Sequence, residues 1–190
     1  AALAGAHIIL NPSASNELIA KAEYRRDLVR MASARNICAY AYASAGPGES
    51  TKDVVFGGHC LIAENGQVLA ESDRFPLRGV HVYIDVDIGN LQHDRRQNKS
   101  FGSAQRAMPF RIQPIETPQP KLADLQRNVS ASPFVPADEH EFAARAREIL
   151  SIQATGLARR MRASGAEKLV IGLSGGLDST LAFLVCLDSL

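Results

Sequence analysis

The sequence predicts an α/β fold in two parts. Three observations carry that prediction: a strand–helix–strand pattern in the first fifty residues, two apolar runs joined by Asn65 and Gly66, and the string "IGLSGGLDST" between an apolar run and an apolar helix. The chain has 190 residues, 46% of them hydrophobic and 22% charged, a globular composition with room for one good core or two small ones.

In chain order, "AALAGA" reads as a helix ending at Gly5, and "HIIL" as the buried strand after it. "NPSASNE" (Asn11 to Glu17) reads as a polar turn. The segment that follows places Tyr24, Leu28, Met31 and Ala32 at helical spacing with Arg25, Arg26 and Arg30 between them, an amphipathic helix. "ICAYAYAS" (Ile37 to Ser44) suits a strand buried on both faces, and "AGPGEST" is rich in turn residues.

Within Val54 to Ser72, the pair Asn65–Gly66 tolerates the positive φ of a type I′ turn and predicts a hairpin. "VHVYIDVDI" (Val80 to Ile88) alternates as a strand should, and "GNLQHDRRQNKSF" predicts a charged helix. Between Met108 and Pro136 stand six of the nine prolines (109, 114, 118, 120, 133 and 136), which suits an extended connector and a domain boundary.

Beyond the connector, Asp138 with Glu141 three residues on predicts a capping box, and Phe142, Ala146, Ile149, Leu150, Leu157 and Met161 an apolar stripe. Arg159, Arg160 and Arg162 suit the negative end of that helix, with phosphate contact as the other reading. "KLVIGLS" (Lys168 to Ser174) then predicts a buried strand, and Asp178 to Leu190 a helix leading away from it.

The bulk numbers exclude several partners. A net charge of +1 gives no reason to expect nucleic acid or a membrane surface, and no run approaches the roughly 20 apolar residues of a membrane span. Cys38, Cys60 and Cys186 are odd in number and lack CxxC spacing, against a disulfide scaffold or zinc site and in keeping with a reducing, cytoplasmic setting. The N-terminal stretch has no positively charged leader and reads as the middle of a domain.

The chemistry concentrates in the glycine loop. Gly172, Gly175 and Gly176 let backbone N–H groups approach phosphate oxygens, Ser174 and Ser179 add hydroxyls, and the helix N-terminus adds partial positive charge. Leu173 and Leu177 complete the loop. A Walker A loop would end in G-K-[ST]; here Asp178 stands where no lysine does, and a carboxylate beside phosphates makes sense if it holds Mg²⁺. A turn kept only for tight packing is the alternative.

"SGGLDST" resembles the pyrophosphate loop of the ATP pyrophosphatases, which adenylate a carboxylate or carbonyl and let a nucleophile displace AMP. "AALAGAHIILNPSAS" and "FGGHCLIAENGQVLAES" resemble the later part of a nitrilase-type (carbon-nitrogen hydrolase) amidase domain. With Tyr24 to His59 and Ile152 to Met161, the order of parts resembles the glutamine-dependent NAD synthetases over nearly the whole chain, most loosely between Lys121 and Ser132.

That resemblance implies the C-terminal part of a nitrilase-like αββα sandwich (1–108), a Pro-rich linker (109–137), and the first helix-strand-loop-helix of a Rossmann-like ATP pyrophosphatase domain (138–190). It implies a cytoplasmic homo-oligomer that uses glutamine, ATP with Mg²⁺ and deamido-NAD, with ATP on residues 172–179 and the metal on Asp178. Ser15 and Lys21 match positions that contact glutamine; a turn serine and a solvated lysine are their plainer readings. Glu49 would face the active site or a tunnel mouth, or only stabilise its loop. The Cys, Lys and Glu of the glutaminase are expected upstream of Ala1, so no catalytic residue is assigned here and the chain alone is expected to be inactive. Cys38 or Cys60 as nucleophile would need exposure and a nearby base. Two rival readings are another ATP-pyrophosphatase amidotransferase or tRNA-modifying enzyme, and a non-catalytic nucleotide-binding or assembly module.

Overall fold

The computed structural model describes residues 1–104, 110–116, 124–136 and 138–190, in two compact units, Ala1–Asn128 and Val129–Leu190. Of the proline-rich connector, Pro109, Pro118 and Pro120 lie outside the described residues, as do the expected boundary at 108/109 and the expected linker end at 137. Pro114, Pro133 and Pro136 are described and stand outside helices and strands.

The first unit is a four-stranded sheet in the order β1-β2-β3-β4. Strand β1 (Ile8–Ser13) runs parallel to β2 (Ala39–Ser44), with Ile8 opposite Ala39, and helix α1 (Lys21–Asn36) makes the crossover. β3 (Cys60–Glu64) and β4 (Gln67–Glu71) continue antiparallel. Their turn is the expected one: Asn65 at φ 45° and Gly66 at φ 89° both lie in the left-handed region. The turn is seated on α1, where Gly66 N–H donates to Ser33 Oγ at 3.2 Å and a Cβ on Gly66 would come within 3.0 Å of Ala34 Cβ.

Two small cores hold this unit. On the α1 side, Val29, Tyr42, Leu61 and Ala63 pack together with Tyr40 and Val68 against them. Near the start of β2, Ile37, Ala39, Leu91 and Phe101 pack with Val86 and Ile88, covered by α2 (Ile88–Gln97) and α3 (Lys99–Ala104). Buried Arg95 joins that second core to the backbone: Nε donates to Ile37 O at 2.8 Å, and Nη2 to Ala6 O at 2.7 Å and Asn36 O at 3.1 Å. The bonds to Asn36 and Ile37 satisfy carbonyls left over where α1 ends at Ile37, a β-branched residue held at φ 42°, and the bond to Ala6 ties in the segment before β1.

Several expectations need correction. The helix ending at Gly5 is a single 3₁₀ turn, Ala2–Ala4, with Gly5 left-handed as its cap. The turn expected from Asn11 begins later, because Asn11, Pro12 and Ser13 stay in register with Tyr42, Ala43 and Ser44. β1 is an edge strand whose Ile8 and Leu10 are exposed, and Ala43 of β2 is exposed too, because described elements cover these strands on one face only. Tyr24, Leu28 and Met31 of the expected apolar stripe are also exposed; α1 buries Arg25, Val29 and Ser33 instead, since Arg25 has buried partners of its own. Val54 to His59 and Val80 to Ile88 pair with no strand among the described residues, and a strand needs a neighbour to take its backbone hydrogen bonds.

In the second unit, α4 (Glu139–Ser164) packs on α5 (Leu177–Ser189). The capping box is half formed: Asp138 accepts from Glu141 N–H at 2.8 Å, whereas the Glu141 carboxylate turns to Arg145 one helical turn on. Ala154 and Met161 are the buried face of α4, while Phe142 and Ile149 of the expected stripe are exposed. The expected buried strand Lys168 to Ser174 is irregular, with Val170 fully exposed, because no described strand lies beside it.

Candidate functional site

The sheet face bearing Tyr40 and Tyr42 meets α1 unevenly. On the β1 side the two diverge and leave a cleft of about 360 Å³. Leu28, Val29 and Ala32 of α1 form its apolar wall, and Asn11, Ser13, Tyr40 and Tyr42 come from the strands. Ser15 and Lys21, six residues apart and on either side of an irregular loop, both line it. Lys21 Nζ donates to Asn16 O at 2.7 Å and Asn16 Oδ1 at 3.0 Å, so one N–H of the ammonium group is left for a ligand. The arrangement offers a hydroxyl and a cation in a slot with an apolar wall, which suits a small molecule carrying a carboxylate.

Behind the cleft lies a chain of charges. Arg25, 3% exposed, places Nη1 2.8 Å from Glu17 Oε1 and 3.1 Å from His59 Nδ1. His59, 1% exposed, places Nε2 2.8 Å from Glu71 Oε1. Arginine only donates and a carboxylate only accepts, so the ring proton sits on Nε2. Glu71 is gripped from the other side by Arg26, whose Nε and Nη2 donate at 2.9 and 2.7 Å. Those bonds to Arg26, aided by His59 and opposed by burial, hold the Glu71 carboxyl below the usual carboxylate range. Glu17 Oε1, Arg25 Nε and Nη2 and the Tyr42 hydroxyl hydrogen-bond to no other described residue, so Arg25 and Glu17 meet as a close ion pair.

None of these charged groups except Arg25 touches the cleft, and none was expected as a site residue. The available signal was weak: two adjacent arginines in a helix whose apolar spacing they interrupt.

In the second unit, the loop from Gly172 leads into α5. Gly175 sits at φ +83°, where only glycine is comfortable, and a Cβ at Gly172 or Gly175 would meet nothing within 4 Å. Tight packing is therefore not what these glycines serve among the described residues. Ser174 Oγ lies 3.1 Å from Ser179 Oγ, and Ser179 and Thr180 hydroxyls donate back to Gly176 O at 3.0 and 2.9 Å. The first helical bond runs from Thr180 N to Gly176 O, and Gly176 supplies no side-chain cap. The N–H groups of Leu177, Asp178 and Ser179 precede that bond and face the helix start, the arrangement that accepts anions. Asp178 stands in the first turn. Among the described residues, no three His, Cys, Asp or Glu side chains are gathered to hold a metal by themselves.

The remaining candidates lie apart from the cleft. Glu49 ends the 3₁₀ turn Pro47–Glu49 and lines a second cavity, of about 410 Å³, with Arg78 and Cys60. Cys38 is fully buried, and burial pushes its thiol above the usual range, partly offset by Arg95. That is the opposite of an activated nucleophile. Cys60 is half-buried with Gly58 O 3.6 Å from its sulfur, and Cys186 is half-buried in α5.

A family model described as NAD synthase matches residues 149–190. A glutamine-dependent NAD(+) synthetase of Mycobacterium leprae is 43% identical over 97% of this chain, and the human one 29% identical over 93%. Over the segment it spans, the chain is similar to glutamine-dependent NAD(+) synthetases. It spans about 28% of the M. leprae relative's length and 24% of the human one's. A solved family member from Cytophaga hutchinsonii overlaps 40% of this chain and 13% of its own, at 36% identity and a TM-score of 0.38. The similarity to the M. leprae relative runs through both the cleft and the glycine loop, whereas the family model reaches only the loop.

Proposed function

We propose that the protein carrying this chain amidates deamido-NAD to NAD in an ATP-dependent reaction through an adenylated intermediate, with ammonia taken from glutamine. The observation that supports this reading most is the similarity to glutamine-dependent NAD(+) synthetases over 97% of the chain, across two sites of different chemistry. In this reading residues 1–108 are the later part of a nitrilase-like αββα glutaminase domain, 109–137 a linker, and 138–190 the start of a Rossmann-like ATP pyrophosphatase domain. A cytoplasmic, homo-oligomeric enzyme goes with the same reading.

In the first unit, Lys21 holds the glutamine α-carboxylate through its remaining N–H, and Ser15 supplies a hydroxyl to the α-amino group. The apolar wall of Leu28, Val29 and Ala32 takes the methylene groups of the substrate. In the second unit, the glycines and the start of α5 take the ATP phosphates, with backbone N–H groups from residues 177–179 and the Ser174 and Ser179 hydroxyls as donors.

Asp178 fits a divalent cation in one specific way. A lone carboxylate beside a phosphate-binding loop suits Mg²⁺, which keeps several waters and takes most of its remaining ligands from substrate phosphates. Bound there, Mg²⁺ would neutralise phosphate charge. Asp178 would hold it, and no other described side chain is assigned to it.

The test uses the full-length protein with amide-¹⁵N glutamine, ATP, Mg²⁺ and deamido-NAD. Mass spectrometry should find ¹⁵N-labelled NAD with AMP and pyrophosphate. ADP and phosphate in their place would overturn the adenylation step, and unlabelled NAD would overturn the glutamine origin of the nitrogen.

A further inference from the structure

Ser15 stands in a loop without regular structure, from Ala14 to Ala20, and Lys21 opens α1 directly after it, so something must fix that loop if the two are to meet a ligand in one geometry. Between them stands Glu17, which does not line the cleft and whose side chain is only 7% exposed. Four contacts converge on it. Its N–H donates to Val55 O at 2.7 Å, its Oε1 lies 2.8 Å from buried Arg25, and its Oε2 accepts from Arg74 at 3.4 Å. Gly57 lies so close that an added Cβ would come within 2.5 Å of Oε1. Arg25 is in turn fixed by His59, which is itself held by Glu71 of β4, so the carboxylate is held by a network rooted in the sheet.

The residue next to Glu17 is Asn16, whose backbone and side-chain oxygens both hold the Lys21 ammonium. Glu17 thus fixes the point from which Lys21 is aimed, and it lies two residues from Ser15. A bare glutamine or alanine at 17 would leave Arg25 without its nearest counter-charge and release the loop.

We propose that Glu17 is a positioning residue: locked by Arg25 and by the absence of a side chain at Gly57, it sets Ser15 and Lys21 in register for the substrate in the cleft. This rests on the reading of that cleft as the glutamine site. Positioning of this kind appears as a binding loss, since misplaced contacts weaken the ground state and transition state alike.

The experiment uses the full-length enzyme and compares glutamine with ammonium chloride as nitrogen source. Glu17→Gln should raise KM for glutamine roughly tenfold with kcat changed less than about twofold, as expected for loss of one charge-assisted contact. NAD formation from ammonium should stay at the wild-type level. Gly57→Ala, which pushes on the carboxylate while keeping it, should reproduce the KM rise, and the double variant should add little to either change. If Glu17→Gln fails to fold, as shown by loss of the ammonium-driven activity, Gly57→Ala still decides. A normal glutamine KM in Gly57→Ala, or a fall in kcat without a KM change, overturns the positioning role. Ser15→Ala and Lys21→Ala separate the two levels: if they raise KM while Gly57→Ala does not, only the role of Glu17 falls. If none of the variants raises KM, the glutamine reading of the cleft falls with it.

Discussion

The cleft of the first unit and the glycine loop of the second make their sites in opposite ways. The cleft is backed by side chains that hold one another: Glu17, Arg25, His59, Glu71 and Arg26 form a continuous series of ion pairs and hydrogen bonds, with Arg25 and His59 nearly inaccessible. The loop is made of backbone, with small residues, one left-handed glycine and N–H groups not yet used. Charge fixed by burial is expensive to disturb. Backbone left open is cheap to disturb but not to do without, because its donors are the site itself. Stability and activity should therefore separate between the two regions.

The sharpest test of that contrast is Arg25→Met. It leaves Glu17 buried without its nearest cation, and removing one partner of a buried pair costs about 3–5 kcal/mol. Urea unfolding followed by a probe in the first unit should show the loss, and a change under about 1 kcal/mol would mean the network is not carrying the fold. Next in size is Gly175→Ala in the loop, where an L side chain at φ +83° is strained by about 1–2 kcal/mol. The loop is exposed and can relax, so ATP affinity measured by calorimetry should fall while the urea midpoint moves little.

A smaller effect comes from pH. The Glu71 carboxyl is held below its usual range by Arg26 first, against burial and with help from His59. A depressed carboxyl stabilises the fold fully above its unfolded value, about 4.3, and loses that contribution as pH falls through the lower folded value. Glu71→Gln should thus be less stable than wild type at pH 7, and the difference should shrink steadily below about pH 4.3 in parallel urea titrations. Asp178→Asn comes last on the stability scale, within about 0.5 kcal/mol of wild type as an exposed change. It should nonetheless abolish NAD formation in the full-length enzyme while glutamine hydrolysis persists, which a coupled assay would read directly.

What the sequence discloses about this molecule follows the range of the interactions. The Asn65–Gly66 turn is legible because the demand for positive φ is met by two adjacent residues. The β1-α1-β2 unit and α5 are legible for the same reason, as local periodicity. The runs Val80 to Ile88 and Lys168 to Ser174 have strand composition, yet a strand forms only when another backbone lies beside it, and no described strand does. The buried side of α1 was illegible for a related reason. Arg25 counts as polar by type, and only partners at 17 and 59, far along the chain, turn it into an interior residue. At the candidate sites, Ser15 and Lys21 are reached one by one through the resemblance and both line the cleft, whereas the closeness of Glu17 and Gly57 depends on residues forty positions apart and leaves no local pattern.

The order of the sheet is also an order in time. β4 and β3 meet through two residues, a closure of microseconds, while β1 can reach β2 only after the whole of α1 has been laid across them. During refolding of the full-length protein, pulsed hydrogen exchange should find the amides of Ile62 and Ala70 protected before those of Ile9 and Asn11. The cleft, whose floor includes β1, would then be the last part of this unit to close, so a chain caught midway would have its hairpin and no place yet for a ligand.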